Sequence, residues 1–329
     1  MLFQNAKHPL EMKVTHLNKV KAQRKQQLQL QMVNDKGLTS LISRAFTDLT
    51  KKDNTKKTSK FGLFKNKTTN KNCFVLDFHG DIKATEVQQL REEISTLLTV
   101  AQAEDEVIVR LESSGGMVHA YGLAAAQLAR IKEAGLNLTV CIDKVAASGG
   151  YMMACVADKI LAAPFAVVGS IGVVAQVPNF HDLLQKHDID VEVFTAGKYK
   201  RTVTVFGENT EEDKQKFQQE LEETHKLFKD FVHKYRPSLD VEQVATGEHW
   251  YGEDAITRNL VDALQTSDSY ILEKMTDSEL YAIQSRQKPT IAQKLGISQA
   301  AQAVVATAID KLPDALAKLQ NAKMPMVKK

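Results

Sequence analysis

The chain has 329 residues, 43% of them hydrophobic and 25% charged, with a formal net charge of +3. That is the make-up of an ordinary soluble globular protein of up to about two domains, and it excludes a low-complexity or charge-driven disordered polymer. The near-neutral total hides an asymmetry: residues 1–72 carry 16 Lys/Arg against 4 Asp/Glu, and the rest of the chain carries 27 against 36.

The basic arm comes first. Residues 10–32 are rich in Gln and Lys with Leu17, Val20, Leu28 and Leu30 interspersed, which predicts a solvated helix. After it Lys51-Lys52, Lys56-Lys57, Lys65, Lys67 and Lys71 stand among Asn and Thr, a pattern for a flexible tether that anionic lipid headgroups would attract. Phe61 and Phe64 alone stand among these lysines, and no nucleic-acid partner is expected. The longest apolar run, residues 160–175, is broken by Pro164, Gly169, Ser170 and Gly172 and falls short of a membrane span of roughly 18 residues. No signal peptide is legible at Met1.

From Cys73 the chain alternates between strand and helix patterns. CFVLDF reads as a strand ending at Gly80, residues 85–100 place Val87, Leu90, Ile94, Leu97 and Leu98 at helical spacing, and EVIVRLE is the next strand. Glycines then open a helix over 119–134, LTVCID is a third strand, and a buried helix follows Ser148. Strand, glycine turn and helix in repetition predict a layered α/β core. Each such turn puts amides at a helix N-terminus, where developing negative charge is favoured. Cys73, Cys141 and Cys155 cannot all pair and are expected to be buried free thiols. Residues 210–235 predict a long amphipathic helix, capped near Asn209-Thr210 and stopped by Pro237, whose aromatic stripe serves the core or a subunit contact. Residues 286–329 form an Ala/Gln-rich tail in which Gly296 and Pro313 leave room for one or two surface helices.

Four stretches carry chemistry. KVAASGGYMMA (144–154) sets Ser148 in a turn of small residues, so that the following amides can face a bound carbonyl. A serine needs a partner to take its proton. TAGKYKRT (195–202) offers lysines, and a lysine serves as base when burial lowers its pKa from about 10.4 towards 7–8. GSIGVVA (169–175) brings Ser170, able to hold such an amine, and RLESSGG (110–116) brings glycine amides that could complete an oxyanion hole. Among the histidines, His249 has no second ligand at metal spacing, His79 and His119 lie near the turns, and His181, His187, His225 and His233 read as surface residues.

These stretches, with VLDFHGDI (75–82) and ATGEHWYGEDAITRNLVD (245–262), resemble in order and content the signal peptide peptidase A family of membrane-anchored serine proteases, most closely its SohB branch. The resemblance covers about residues 72–285. It implies a ClpP/crotonase-like spiral of ββα units, forming one Ser/Lys peptidase domain (73–285) between the basic arm (1–72) and the helical tail (286–329). Ser148 matches the nucleophile, Lys200 the general base and Ser170 the residue orienting it, while the Gly116 and Gly149 amides match the oxyanion donors. Lys198 does not occupy the base position. Where the family usually reads Pro-Gly-Gly, this chain has Ser114-Gly115-Gly116, which frees φ at position 114.

The expected activity is endopeptidase cleavage of signal-peptide-like or membrane-proximal segments, with no cofactor or metal. The resemblance further implies a homo-oligomer whose dyads form at subunit contacts, at the bacterial inner membrane with the catalytic domain in the periplasm; on this reading the chain starts just after its membrane anchor. Two other functions fit the fold: a crotonase-like acyl-CoA enzyme, which would use the oxyanion amides without Ser148 or Lys200, and a non-catalytic membrane-associated scaffold.

Overall fold

The computed structural model describes residues 10–32 and 71–287. Met12–Ser285 form one compact body; the other unit, Met1–Glu11 with Arg286–Lys329, lies almost wholly outside the described residues. The lysine run from 51 to 67 and nearly all of the Ala/Gln-rich tail fall outside them too.

Two strands form the centre of the sheet. β2 (Lys71–Gly80) and β3 (Glu106–Ser113) run parallel from Cys73 opposite Glu106 to Gly80 opposite Ser113. Their apolar runs are buried on both faces, as parallel strands covered by helices must be. The sheet continues through β4 (Asn137–Ile142), β6 (Lys159–Ala162) and β9 (Ala263–Leu264) on one side, and through β10 (Ser278–Gln287) and β1 (Leu10–His16) on the other.

One face is covered by α2 (Val87–Leu97), α3 (Val118–Glu133) and α4 (Gly149–Ala154), which bury Leu90, Ile94, Tyr121, Leu128 and the whole of α4 against Leu76, Phe78 and Val109. The other packs Val75, Ile108, Cys141 and Leu161 against Tyr270 and Ile271 of a C-terminal helix, Ser267–Lys274. The three cysteines are free and buried.

The unit built from β4, β5 (Val145–Ala147) and α4 sends its second strand off the main sheet. There Ala146 pairs with Ser113 at the tip of β3, and Ala147 pairs with Gly169 of β7 (Val167–Gly169). β7 pairs in turn with β8 (His249–Tyr251), antiparallel. The result is a mixed α/β fold on a single sheet, and these pairings bring three chain turns, after β3, β5 and β7, to one place.

Two expectations need correction. Residues 10–16 are a strand, and the helix, α1 (Leu17–Met32), begins only at Leu17. The reason is tertiary: His16 stacks on Tyr281 at 4.8 Å and pairs with Glu279 at 2.5 Å, contacts that residues 10–16 meet only in extended form. His181 and His225 are half-buried rather than surface residues. The long helix α6, which follows the five-residue α5 (His181–Gln185), spans Glu211–Tyr235 with Phe228 and Val232 in the core, yet Leu227 is 70% exposed.

Candidate active site

Ser148 stands at the junction of β5 and α4 with φ 51° and ψ −118°, a conformation that costs a non-glycine residue about 1–3 kcal/mol. The neighbours impose it. The Ser148 amide donates to the Gly169 carbonyl at 2.8 Å, and its carbonyl accepts from the Met152 amide at 2.9 Å, so strand pairing fixes one side and the helix the other. The hydroxyl is half-buried and makes no hydrogen bond among the described residues.

Only glycine fits around it. At Gly115 (φ 88°) a Cβ would stand 2.8 Å from the Ser148 Cβ and 2.7 Å from the Gly149 amide nitrogen; at Gly149 it would enter the Tyr121 ring. The Gly116 and Gly149 amides find no protein acceptor among the described residues, and both residues line the cleft that holds Ser148. Gly172 completes its mouth, with Val118, Met152 and Phe228 as walls. The cleft is about 10 Å³, room for no more than a water molecule.

The turn after β7 is also strained. Ser170 has φ 52°, its amide donates to the Glu248 carbonyl at 2.6 Å, and its own carbonyl accepts from Gly172 at 3.0 Å. The His225 ring donates through Nε2 to the Ile171 carbonyl at 3.2 Å, tying α6 to this segment. Ser170 thus flanks the cleft, two residues from Gly172.

Lys200 lies elsewhere in the chain. It lines a separate hollow of about 630 Å³ bounded by residues 191–196, Thr204 and Phe206, and its amine meets no ion-pair or hydrogen-bond partner among the described residues. Lys198 is engaged otherwise: it pairs with Glu212 at 3.0 Å beside the Tyr199 ring, both of which hold its charge more firmly. The structure therefore brings Ser148, Gly116 and Gly149 into one cleft, with Ser170 next to the Gly169 that pairs with Ser148, while Lys200 lines a different hollow.

His79 and His119 are exposed and do not line the Ser148 cleft. His249 is exposed and pairs opposite Gly169, and the next residue, Trp250, covers Gly169 and lies beneath Arg258 at 5.3 Å. Sequence reasoning missed Ser113, Tyr121 and His225. Tyr121 had a signal, a polar aromatic in the first turn of the helix that the glycines open; the other two had none.

The profile described as peptidase family S49 matches residues 130–281, and the one described as the N-terminal part of that family matches residues 2–128. The chain belongs to peptidase family S49. Within that family it is 65% identical over 223 residues to the probable protease SohB of Haemophilus influenzae, a match covering 68% of this chain and 63% of that protein. It is 58% identical over 218 residues to the probable protease SohB of Buchnera aphidicola from Acyrthosiphon pisum, covering 66% of this chain and 65% of the relative. The matched stretch thus spans just under two thirds of these S49 relatives. A solved structure of the 1510-N membrane-bound stomatin-specific protease is a distant likeness, with 12% identity and a TM-score of 0.43 over 65% of this chain and 97% of that one. A Ser/Lys pair is consistent with the S49 family. No described helix is long and apolar enough to cross a membrane.

Proposed function

We propose that the protein is a serine endopeptidase in which Ser148 is the nucleophile and Lys200 of a neighbouring copy is the general base. One observation carries the reading: a serine forced to positive φ, its hydroxyl unengaged among the described residues, faces a narrow cleft lined by Gly116 and Gly149, whose amides find no acceptor among those residues. Lys200, uncharged and held by Ser170, takes the Ser148 proton as Oγ attacks the scissile carbonyl carbon. The oxyanion formed there accepts from the Gly116 and Gly149 amides. Collapse expels the amine, which takes the proton back from Lys200, and water then releases the acyl group by the same route.

The segment bearing Lys200 supports a base supplied by a neighbour. Residues 174–201 are almost entirely exposed and include Val174 and Phe194, 92% and 87% exposed. A second copy laid over them would cover this apolar surface and withdraw the amine from water, the condition for an uncharged lysine. The narrow cleft favours small apolar side chains beside the scissile bond. Signal-peptide-like or membrane-proximal segments are the substrate class we propose, with the enzyme at the bacterial inner membrane and its catalytic body in the periplasm. The basic arm, with its 16 Lys/Arg against 4 Asp/Glu, supports a place beside anionic lipid.

Fluorogenic peptide cleavage tests this. Ser148→Ala and Lys200→Ala are each expected to abolish turnover with the circular dichroism unchanged. Mixed and allowed to exchange subunits, the two dead variants should regain roughly a quarter of wild-type activity, because random neighbours restore one intact dyad in four. Turnover by Ser148→Ala sinks the nucleophile assignment; silence of the mixture sinks the crossed dyad.

A further inference from the structure

Beneath the glycine turn lies a pair of buried hydroxyls that the dyad chemistry does not use. Ser113, at the tip of β3, is 2% exposed, and Tyr121, in the first turn of α3, is fully buried. The Tyr121 hydroxyl donates its one hydrogen to the Asp81 carbonyl at 2.8 Å, since a carbonyl can only accept. The Ser113 hydroxyl therefore donates to Tyr121 at 2.5 Å, and its lone pair accepts the Gly115 amide at 3.0 Å. All the donors point one way, from the Gly115 amide through Ser113 and Tyr121 to Asp81, an order in which each bond polarises the next.

The far end is anchored. The Asp81 carboxylate accepts from the Thr85 and Lys83 amides at 2.8 and 3.1 Å and from the Thr85 hydroxyl at 3.0 Å. The next residue, Ile82, accepts the Met117 amide at 2.8 Å. Gly116 thus hangs between two clamps, one on Gly115 and one on Met117, both fastened to the turn at Asp81 and Ile82. With serine at position 114, no proline ring fixes the turn, and Gly115 at φ 88° can swing once its amide is released.

We infer that Ser113 and Tyr121 are positioning residues of the oxyanion site: their hydroxyl relay aims the Gly116 amide at the charge that develops when Ser148 attacks. This rests on the assignment of Ser148 and Gly116 above. Donor placement is worth much in catalysis, since a shift of about 1 Å can cost 100-fold in rate.

Tyr121→Phe in the full chain keeps the ring against Gly149 and removes the relay. Its kcat is expected to fall about 10- to 100-fold with KM within about two-fold of wild type, since the lost interaction belongs to the transition state. A peptide boronic acid, whose tetrahedral adduct presents an oxygen to the same amides, should bind more weakly by a similar factor while the melting temperature holds. Ser113→Ala should behave alike, and the double variant should be no worse than either single one. Wild-type kcat and boronate affinity in Tyr121→Phe overturn the proposal, as does a rate loss matched by early melting in both single variants. Ser148→Ala in the same assay separates the two ideas: if it cleaves, the nucleophile assignment fails; if it is dead while Tyr121→Phe turns over normally, only the relay fails.

Discussion

Gly149 and Gly122 are separated by what surrounds them. At Gly149 a methyl group would enter the Tyr121 ring; at Gly122, the residue after that tyrosine, nothing lies within 4 Å. Gly149→Ala is therefore expected to lose about 1–3 kcal/mol through overpacking and to lose turnover as its amide is displaced. Gly122→Ala lies inside α3 with open space and should gain about 0.5–1 kcal/mol. Urea midpoints of the two variants, moving in opposite directions, check the geometry of the turn.

At the scale of the element, α6 is held at both ends. Thr210 caps it reciprocally: the Thr210 hydroxyl accepts the Asp213 amide at 3.2 Å, and the Asp213 carboxylate accepts the Thr210 amide at 3.0 Å. Its far end is bound by Arg236, which grips Asp262 with both terminal nitrogens at 2.7 and 3.0 Å. Thr210→Ala should cost about 1 kcal/mol at neutral pH. The hydrogen bonds from Thr210 hold the Asp213 carboxyl below its ordinary 3.8. A depressed acid stabilises the fold above its unfolded value, and the benefit disappears as pH falls through the folded one. The gap in melting temperature between wild type and Thr210→Ala should therefore persist down to pH 4 and narrow below it.

At the scale of the whole molecule, burial silences the cysteines. It pushes the Cys73 thiol up to about 11 and the Cys141 thiol up to about 12, and raises Cys155 as well. Since the thiolate is the reactive form, none of the three should react with an aromatic disulfide at pH 8 in the folded protein. All three should react after denaturation. A thiol that reacts in the native state would mean that the core on that face opens.

The sequence by itself determined the main strands and helices of the core and marked the candidate site residues. Apolar runs bounded by glycine wrote the parallel strands β2, β3 and β4, the cap at Thr210 wrote the start of α6, and KVAASGGYMMA marked Ser148 before any fold was known. These signals are local, set by side-chain periodicity and by backbone freedom within a few residues. Only the tertiary structure decided that residues 10–16 join the sheet, that Ser113 and Tyr121 sit under Gly115, and that Lys200 and Ser148 line different hollows. Those outcomes depend on contacts between segments far apart in sequence, which periodicity does not encode. The relay was the least legible of all, because Ser113, Tyr121 and Asp81 acquire a shared purpose only when β3, α3 and the turn after β2 are packed together.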